Sequence, residues 1–194
     1  MTGTQSSDLL EALKRVATVL RGAEVRFALA GSAAVYARGG PPGEHDVDFV
    51  VHVDDVSKAL AAASEAGLRT ERPPEGWLVK VYDNDCLIDL IFRFYENVVD
   101  DAMIGRAETM SVAAVEMPVL DASDLVVAKL LSFSAHNCDF GPALLMVRVL
   151  REQIDWRIVR SSCQESPYAR AFLWLVRLLG IADDASEERP WTAA

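Results

Sequence analysis

Phe27-Ala28-Leu29-Ala30-Gly31-Ser32, then thirteen residues, then Asp46-Val47-Asp48-Phe49-Val50-Val51: this part of the chain decides its fold. Two short apolar runs flank a Gly-Ser turn and a pair of alternating carboxylates. Val25 to Ala30 predicts a buried strand, and Asp46 to Val53 predicts a second one. Residues two apart on a strand point to the same face. Asp46 and Asp48 therefore project together, while Val47 and Phe49 pack behind them. Two neighbouring carboxylates repel, and each costs on the order of several kcal/mol to desolvate without a partner. A divalent cation between them removes both problems. Mg²⁺ suits the place, because it takes one or two carboxylates, keeps some waters and draws its other ligands from phosphates.

The Gly-Ser turn supplies the other half of such a site. Ala33 to Ala37 can open a helix behind Gly31 and Ser32. Free backbone N–H groups at a helix start attract phosphate, and Ser32 adds a hydroxyl donor. Gly31 lets the backbone approach a ligand closely.

The 194 residues suffice for one domain of ordinary size, and 51 % apolar content allows a sizeable core. The net charge of −10 excludes a general surface for double-stranded DNA. That charge is uneven. Residues 1–120 carry 11 Lys/Arg against 19 Asp/Glu, whereas residues 121–181 carry 7 against 6. Cys86, Cys138 and Cys163 show no zinc spacing and read as three small core thiols in a reducing cytoplasm. No apolar run is long enough to span a membrane.

Outward from the central stretch, Ser7 or Asp8 caps a first helix to about Arg21. A helix follows from Asp54 or Asp55 to Ala66. Trp77–Tyr82 and Cys86–Phe92 form a hairpin around Asp83-Asn84-Asp85. Asn97 to Gly105 reads as a short helix, and Thr109 to Leu120 as one or two edge strands limited by Pro118. Helices are expected over about Ser123–Ala135, Phe140–Glu152, Asp155–Cys163 and Pro167–Leu179. The fold class is mixed α/β with a helical C-terminal part. The organisation is an α/β domain over 1–120, a helical part over 121–181 packed on it, and an acidic tail over 182–194 expected to be disordered.

Three further residues carry chemistry. Asp89 is the single charge in Cys-Leu-Ile-Asp-Leu-Ile-Phe, a strand apolar on both faces. Beside the Asp pair it completes a metal site or accepts a hydroxyl proton; otherwise it faces solvent on an edge. Lys129 sits in a helix among Leu125, Val126, Leu130 and Phe133, and either snorkels to solvent or reaches an anion. Asp139 either serves the site or caps the helix that begins at Phe140.

Leu29-Ala30-Gly31-Ser32, Asp46-Val47-Asp48-Phe49 and Leu87-Ile88-Asp89-Leu90 together resemble the nucleotidyltransferase superfamily with the polymerase-beta-like fold. The spacing between turn and Asp pair is similar to that of AbiEii-type toxins and their MenT relatives, and of aminoglycoside or lincosamide nucleotidyltransferases. Glu44-His45-Asp46-Val47-Asp48 resembles the drug-modifying branch. Asp124-Leu-Val-Val-Ala-Lys129 and Asp139 are similar to two further AbiEii-type motifs. The similarity spans roughly residues 25–140.

This resemblance implies a twisted mixed sheet flanked by helices. It implies that Gly31 and Ser32 hold an NTP's phosphates and that Asp46 and Asp48 hold Mg²⁺ or Mn²⁺. Asp89 joins that site or activates the acceptor hydroxyl. Lys129 contacts the triphosphate, and Asp139 orients it or the acceptor. The acceptor is RNA, such as a tRNA end in a toxin–antitoxin pair with an antitoxin protein as partner, or a small hydroxylated molecule. The alternative is a fold of this type that binds a nucleotide or a protein without turnover. The three Asp residues speak against that alternative, and the Pro41-Pro42-Gly43-Glu44 loop speaks for it.

Overall fold

Leu13, Val16, Ala17 and Leu20 recur at helical spacing and bury one face of α1 (Gly3–Gly22). The computed structural model describes residues 3–41, 46–94 and 97–182. The loop with Glu44 and His45, and the tail 183–194, lie outside the described residues. After α1 come β1 (Phe27–Ala30), α2 (Gly31–Ala37) and β2 (Val47–Val51). A 3-10 turn, Val53–Asp55, leads into α3 (Val56–Glu65) and β3 (Arg69–Glu71). The hairpin β4 (Leu78–Asp83) and β5 (Cys86–Ile91) follows, then the short pair β6 (Arg93–Phe94) and β7 (Asn97–Val98). Next are α4 (Asp101–Gly105), β8 (Glu108–Val112) and β9 (Val115–Val119). Four helices close the described chain: α5 (Ala122–Leu131), α6 (Phe140–Leu150), α7 (Trp156–Ser162) and α8 (Pro167–Leu178).

Seven strands form one mixed sheet in the order β3-β4-β5-β2-β1-β9-β8. β2 with β5 and β1 with β9 run parallel; the other neighbours are antiparallel. The two faces of the sheet differ. Val47, Phe49, Val51, Val79, Val81, Ile88 and Leu90 share one face and are all buried. The helices α1 and α3 pack on β3, β4 and β5. The alternate residues of β3, β4 and β5 point the other way, and Arg69, Glu71, Lys80, Tyr82, Leu87 and Asp89 all keep some exposure. This half of the sheet is open on one side, and the chemistry gathers there.

β4 and β5 pair from Leu78↔Ile91 to Asp83↔Cys86, closing on a two-residue turn in which Asn84 has φ 51°. Asn tolerates that left-handed conformation better than most residues. Arg15 of α1 donates to Asp83 at 2.6 Å and to the Ala66 carbonyl at 2.8 Å, tying the turn to the helical layer.

Most elements match the sequence reading, with five differences. α1 begins at Gly3, so Ser7 and Asp8 lie inside the helix rather than capping it. Asn97–Val98 is a strand, and the helix begins only at Asp101, because the Asp100 side chain accepts from the Met103 N–H and fixes the start there. β9 is no edge strand: Leu29 pairs with Val119, and the Leu120 N–H donates to the Leu29 carbonyl. Pro118 is tolerated because that contact with β1 is confined to the end of the strand. β3 is an additional strand, whose polar Arg69-Thr70-Glu71 carries no apolar signal. Cys138 is exposed rather than a core thiol, while Cys163 is buried and Cys86 half-buried.

One buried charge holds the frame. Arg38, just past α2, donates from Nε to the Leu120 carbonyl at 2.7 Å and from Nη2 to the Val119 carbonyl at 3.3 Å. Its Nη1 reaches Gln153 at 3.2 Å, and Gln153 donates back to the Arg38 carbonyl at 3.0 Å. This links the end of α2 to the end of β9 and to the helices beyond. Arg38→Met is expected to cost about 3 kcal/mol, because it leaves buried carbonyls without donors. Urea unfolding measures that cost, and a change below about 1 kcal/mol would contradict the strut.

Candidate active site

The site begins where β1 ends. Gly31 has φ 58°, a left-handed conformation that turns the chain directly into α2. A Cβ at Gly31 would overlap the Asp48 carboxylate. Glycine is therefore required twice, by the turn and by the close approach of Asp48. Ser32 is exposed on the first turn of α2, next along the chain.

The strand register sets the rest. Ala30 pairs with Asp48, Asp48 with Asp89, Asp89 with Lys80, and Lys80 with Glu71. Paired residues on adjacent strands share a face, about 5 Å apart. A single lateral row therefore runs across the open face: Ala30, Asp48, Asp89, Lys80, Glu71. Asp46 immediately precedes β2 and is exposed. Three strands thus bring together Gly31, Asp48 and Asp89, with Asp46 beside them.

Electrostatics in this row are unfavourable as it stands. Burial, then the charge of Asp89, then that of Asp46, push the Asp48 carboxyl up to about 6. Burial also pushes Asp89 up, against the downward pull of Lys80. The Lys80 ammonium lies 3.8 Å from Asp89 Oδ1, beyond hydrogen-bond reach, so it acts as a charge neighbour. Asp89 Oδ1 is buried and makes no hydrogen bond.

Crowded, hard carboxylate oxygens with one buried lone pair unused fit a divalent ion such as Mg²⁺ or Mn²⁺. Among the described residues, no three carboxylates, thiols or imidazoles form a preformed metal cage. An open arrangement of this kind suits an ion that shares its ligands with a phosphate substrate.

The remaining sequence-predicted residues stand apart from the row. Lys129 is half-buried in the last turn of α5, with Nζ 5.8 Å from the centre of the Phe133 ring. It has no carboxylate partner among the described residues, and α5 packs beside α2. Asp139 is exposed and caps α6, accepting from the Gly141 N–H at 2.9 Å. That is the capping alternative of the sequence reading.

Two groups escaped the sequence reading. Lys80 completes the row; counting the hairpin outward from a two-residue turn would have placed it opposite Asp89. Asp124 is buried and held by Arg106 through two bonds of 2.8 Å. Burial pushes its carboxyl up while Arg106 pulls it down. The Asp124–Arg106 pair locks α5 to the end of α4, a long-range contact with no local signature.

A glycine-turn strand end, a carboxylate row on adjacent strands and this mixed sheet define a protein of the nucleotidyltransferase fold. The family described as "nucleotidyl transferase of unknown function" (DUF2204) matches residues 9–168, and the chain belongs to that family. No protein of curated function matches the sequence.

Among solved structures, the chain is similar to the solution structure of the antibiotic-resistance factor ANT(2'')-Ia, with 14% identity and a TM-score of 0.54 over 93% of this chain and 95% of that one. It is also similar to the crystal structure of ANT(2'')-Ia in complex with adenylyl-2''-tobramycin, with 13% identity and a TM-score of 0.51 over 88% and 98%. An antigenic nucleotidyltransferase-like protein from Paracoccidioides brasiliensis gives 16% identity and a TM-score of 0.50 over 93% and 96%. At these identities the shared property is the fold. No helix among the described residues is long and apolar enough to cross a membrane.

Proposed function

We propose that the protein transfers a nucleoside monophosphate from an NTP to a hydroxyl acceptor in a reaction dependent on Mg²⁺ or Mn²⁺. The observation that carries this reading is the Asp48–Asp89 pair set side by side on adjacent strands, with the Asp48 carboxylate against Gly31. Asp46 and Asp48, with Asp89 at their side, would hold the ion, which when bound offsets the clustered charge and stabilises charge on the transferring phosphate. Gly31 leaves room for the Asp48 carboxylate beside the turn that would hold the phosphates, and Ser32 offers phosphate oxygens a hydroxyl donor. Lys129, without a carboxylate partner among the described residues, supplies a cation for the triphosphate. Asp139 caps α6 through one carboxylate oxygen, and its part would be to orient the triphosphate or the acceptor.

The acceptor oxygen forms a bond to the α-phosphorus, and the bond from that phosphorus to the β-phosphate bridging oxygen breaks. Asp89 takes the acceptor proton, and pyrophosphate leaves. Burial raises the proton affinity of Asp89, which suits a base.

The open face carries Arg69 and Lys80 beside Glu71 and Asp89, but Asp46 and Asp48 tip the site acidic, and residues 1–120 carry 11 Lys/Arg against 19 Asp/Glu. That balance favours a cationic, hydroxylated small molecule over an RNA acceptor. The fold neighbour crystallised with adenylyl-2''-tobramycin supports the same preference. An RNA acceptor, and with it a toxin role and an antitoxin partner, would instead need basic phosphate contacts and a steep salt dependence.

Label transfer tests the proposal. The purified protein is incubated with each α-labelled NTP, Mg²⁺ or Mn²⁺ and total cell extract, beside an Asp46→Asn/Asp48→Asn control. Label in the small-molecule fraction, absent from the control, is the expected result. Label in RNA would replace the acceptor assignment. No label in any fraction, from folded and metal-supplied protein, would favour a fold that binds without turnover.

A further inference from the structure

Charges on the outermost strand of a sheet commonly do no more than guard its edge against pairing. Those of β3 do something else: Arg69 and Glu71 converge on Tyr82 of the next strand. The Arg69 guanidinium carbon lies 3.5 Å from the centre of the Tyr82 ring. The Tyr82 hydroxyl donates to Glu71 Oε2 at 3.0 Å, and Arg69 Nη1 lies 3.8 Å from the same oxygen. An aromatic face with a carboxylate fixed at its edge suits a cation. The cation in place is loosely held. Its side chain is 64 % exposed, against 49 % for Glu71, and 3.8 Å is beyond hydrogen-bond reach. Stacking and charge alone keep Arg69 there, so it is the member that can leave.

The register places this group beside the reacting centre. Tyr82 pairs with Leu87, and Asp89 is the next residue of β5 on the same face. Tyr82 and Asp89 are thus diagonal neighbours, roughly 7–8 Å apart. Glu71 lies two strands from Asp89, roughly 10 Å across the sheet, with Lys80 between them. The Lys80 ammonium is drawn to Asp89, at 3.8 Å. The way from Asp89 to the Tyr82 ring runs over the half-buried Leu87, an apolar floor. α1 and α3 pack on the other face, so a bound molecule can lie along it.

We propose that Glu71 and the face of Tyr82 form the seat for an ammonium group of the acceptor, a seat that Arg69 fills until the acceptor displaces it. The proposal rests on the transferase reading above and narrows its substrate. The acceptor carries an amine roughly 7–10 Å from the hydroxyl that Asp89 serves, the span of about two sugar-sized rings.

Binding is read without catalysis, by NMR on the full chain with ¹³C-labelled tyrosine, the Tyr82 signal being assigned through Tyr82→Phe. The probe is ethanolamine, a hydroxylated ammonium, with N-acetylethanolamine as its neutral counterpart. Thermal melts check the folding of each variant. Exposed cation–π contacts and ion pairs each change binding by roughly two- to fivefold, so Arg69→Ala should bind ethanolamine about threefold more tightly than the wild type. Arg69→Ala/Glu71→Gln should lose that gain. Arg69→Gln, longer and uncharged, repeats the test where alanine loosens the edge strand. N-acetylethanolamine should leave the Tyr82 signal in place. Equal shifts by the two probes, or no gain in folded Arg69 variants, overturn the seat.

Catalysis supplies the second readout. With the acceptor found by label transfer, Arg69→Ala should lower its KM about threefold and Glu71→Gln should raise it about as much, with the KM for NTP little changed. Acetylating the acceptor's amine should mimic Glu71→Gln and add nothing to it. An Arg69→Ala variant that raises the acceptor's KM would mean an acidic acceptor and overturns the assignment. Ethanolamine bound as expected, with no transfer into any fraction, would overturn the transferase reading and the acceptor with it, while the cation seat stands.

Discussion

Asp48→Asn is expected to abolish transfer and, at neutral pH, to make the protein more stable. The two effects have one cause. The folded Asp48 carboxyl titrates at about 6, against 3.8 for the ordinary group, because it is buried beside Asp89 and Asp46. Between these values the folded chain binds the proton more tightly than the unfolded chain. The stability contributed by protonated Asp48 is therefore present below about pH 4 and lost as the pH rises through about 6. Each pKa unit is about 1.4 kcal/mol, so the metal-free protein at pH 7 forgoes about 3 kcal/mol. Asparagine keeps the shape without the charge. The variant should melt about 5–10 °C above the wild type at pH 7 without metal. It should also lack the decline in stability expected of the wild type between pH 4 and 6. Transfer should fall at least a thousandfold. Calorimetry across pH, beside the label-transfer assay, checks both. A variant that melts no higher than the wild type at pH 7 would contradict the strained carboxylate row, and retained transfer would contradict the site.

Gly31→Ala is the second large effect. The positive φ alone costs about 1 kcal/mol for alanine. The larger consequence is the overlap of the new methyl group with Asp48. Either the carboxylate swings out of the row or the turn into α2 shifts, and a displacement of about 1 Å at a reacting centre costs on the order of a hundredfold in rate. The contact is isolated by a double-mutant cycle. In an Asp48→Ala background the carboxylate overlap is gone, leaving the backbone strain and a tight contact with the β-carbon of residue 48, so Gly31→Ala should cost at least about 1 kcal/mol less there than in the wild type. Equal costs in both backgrounds would mean that Gly31 and Asp48 do not meet.

The residues that could be read from the sequence are those whose meaning is local. Gly31-Ser32 and Asp46-Val47-Asp48 declare themselves within a few positions, and alternation alone places the two Asp residues on one face. Asp89 stood out as a charge in an apolar strand, and the register confirms that it lies on β5, inside the sheet. The missed groups depend on distance. Arg38 finds its carbonyls 81 and 82 residues along the chain, and Asp124 finds Arg106 through tertiary packing. Lys80 is intermediate, since its place opposite Asp89 follows from the size of the hairpin turn. Two residues of turn give that pairing, and three would not.

That turn has a consequence for how the protein reaches its working form. Side chains alternate along β4 and β5, so a slip of one position between them would turn one strand over against the other. Either Lys80 would enter the layer under α1 and α3 and expose Val79 and Val81, or Asp89 would enter it and expose Ile88 and Leu90. Such a chain could not complete its interior and would be left open to proteases. The left-handed Asn84 and the anchor from Arg15 to Asp83 therefore act as a checkpoint on assembly: molecules that survive quality control are those whose charged row is already aligned.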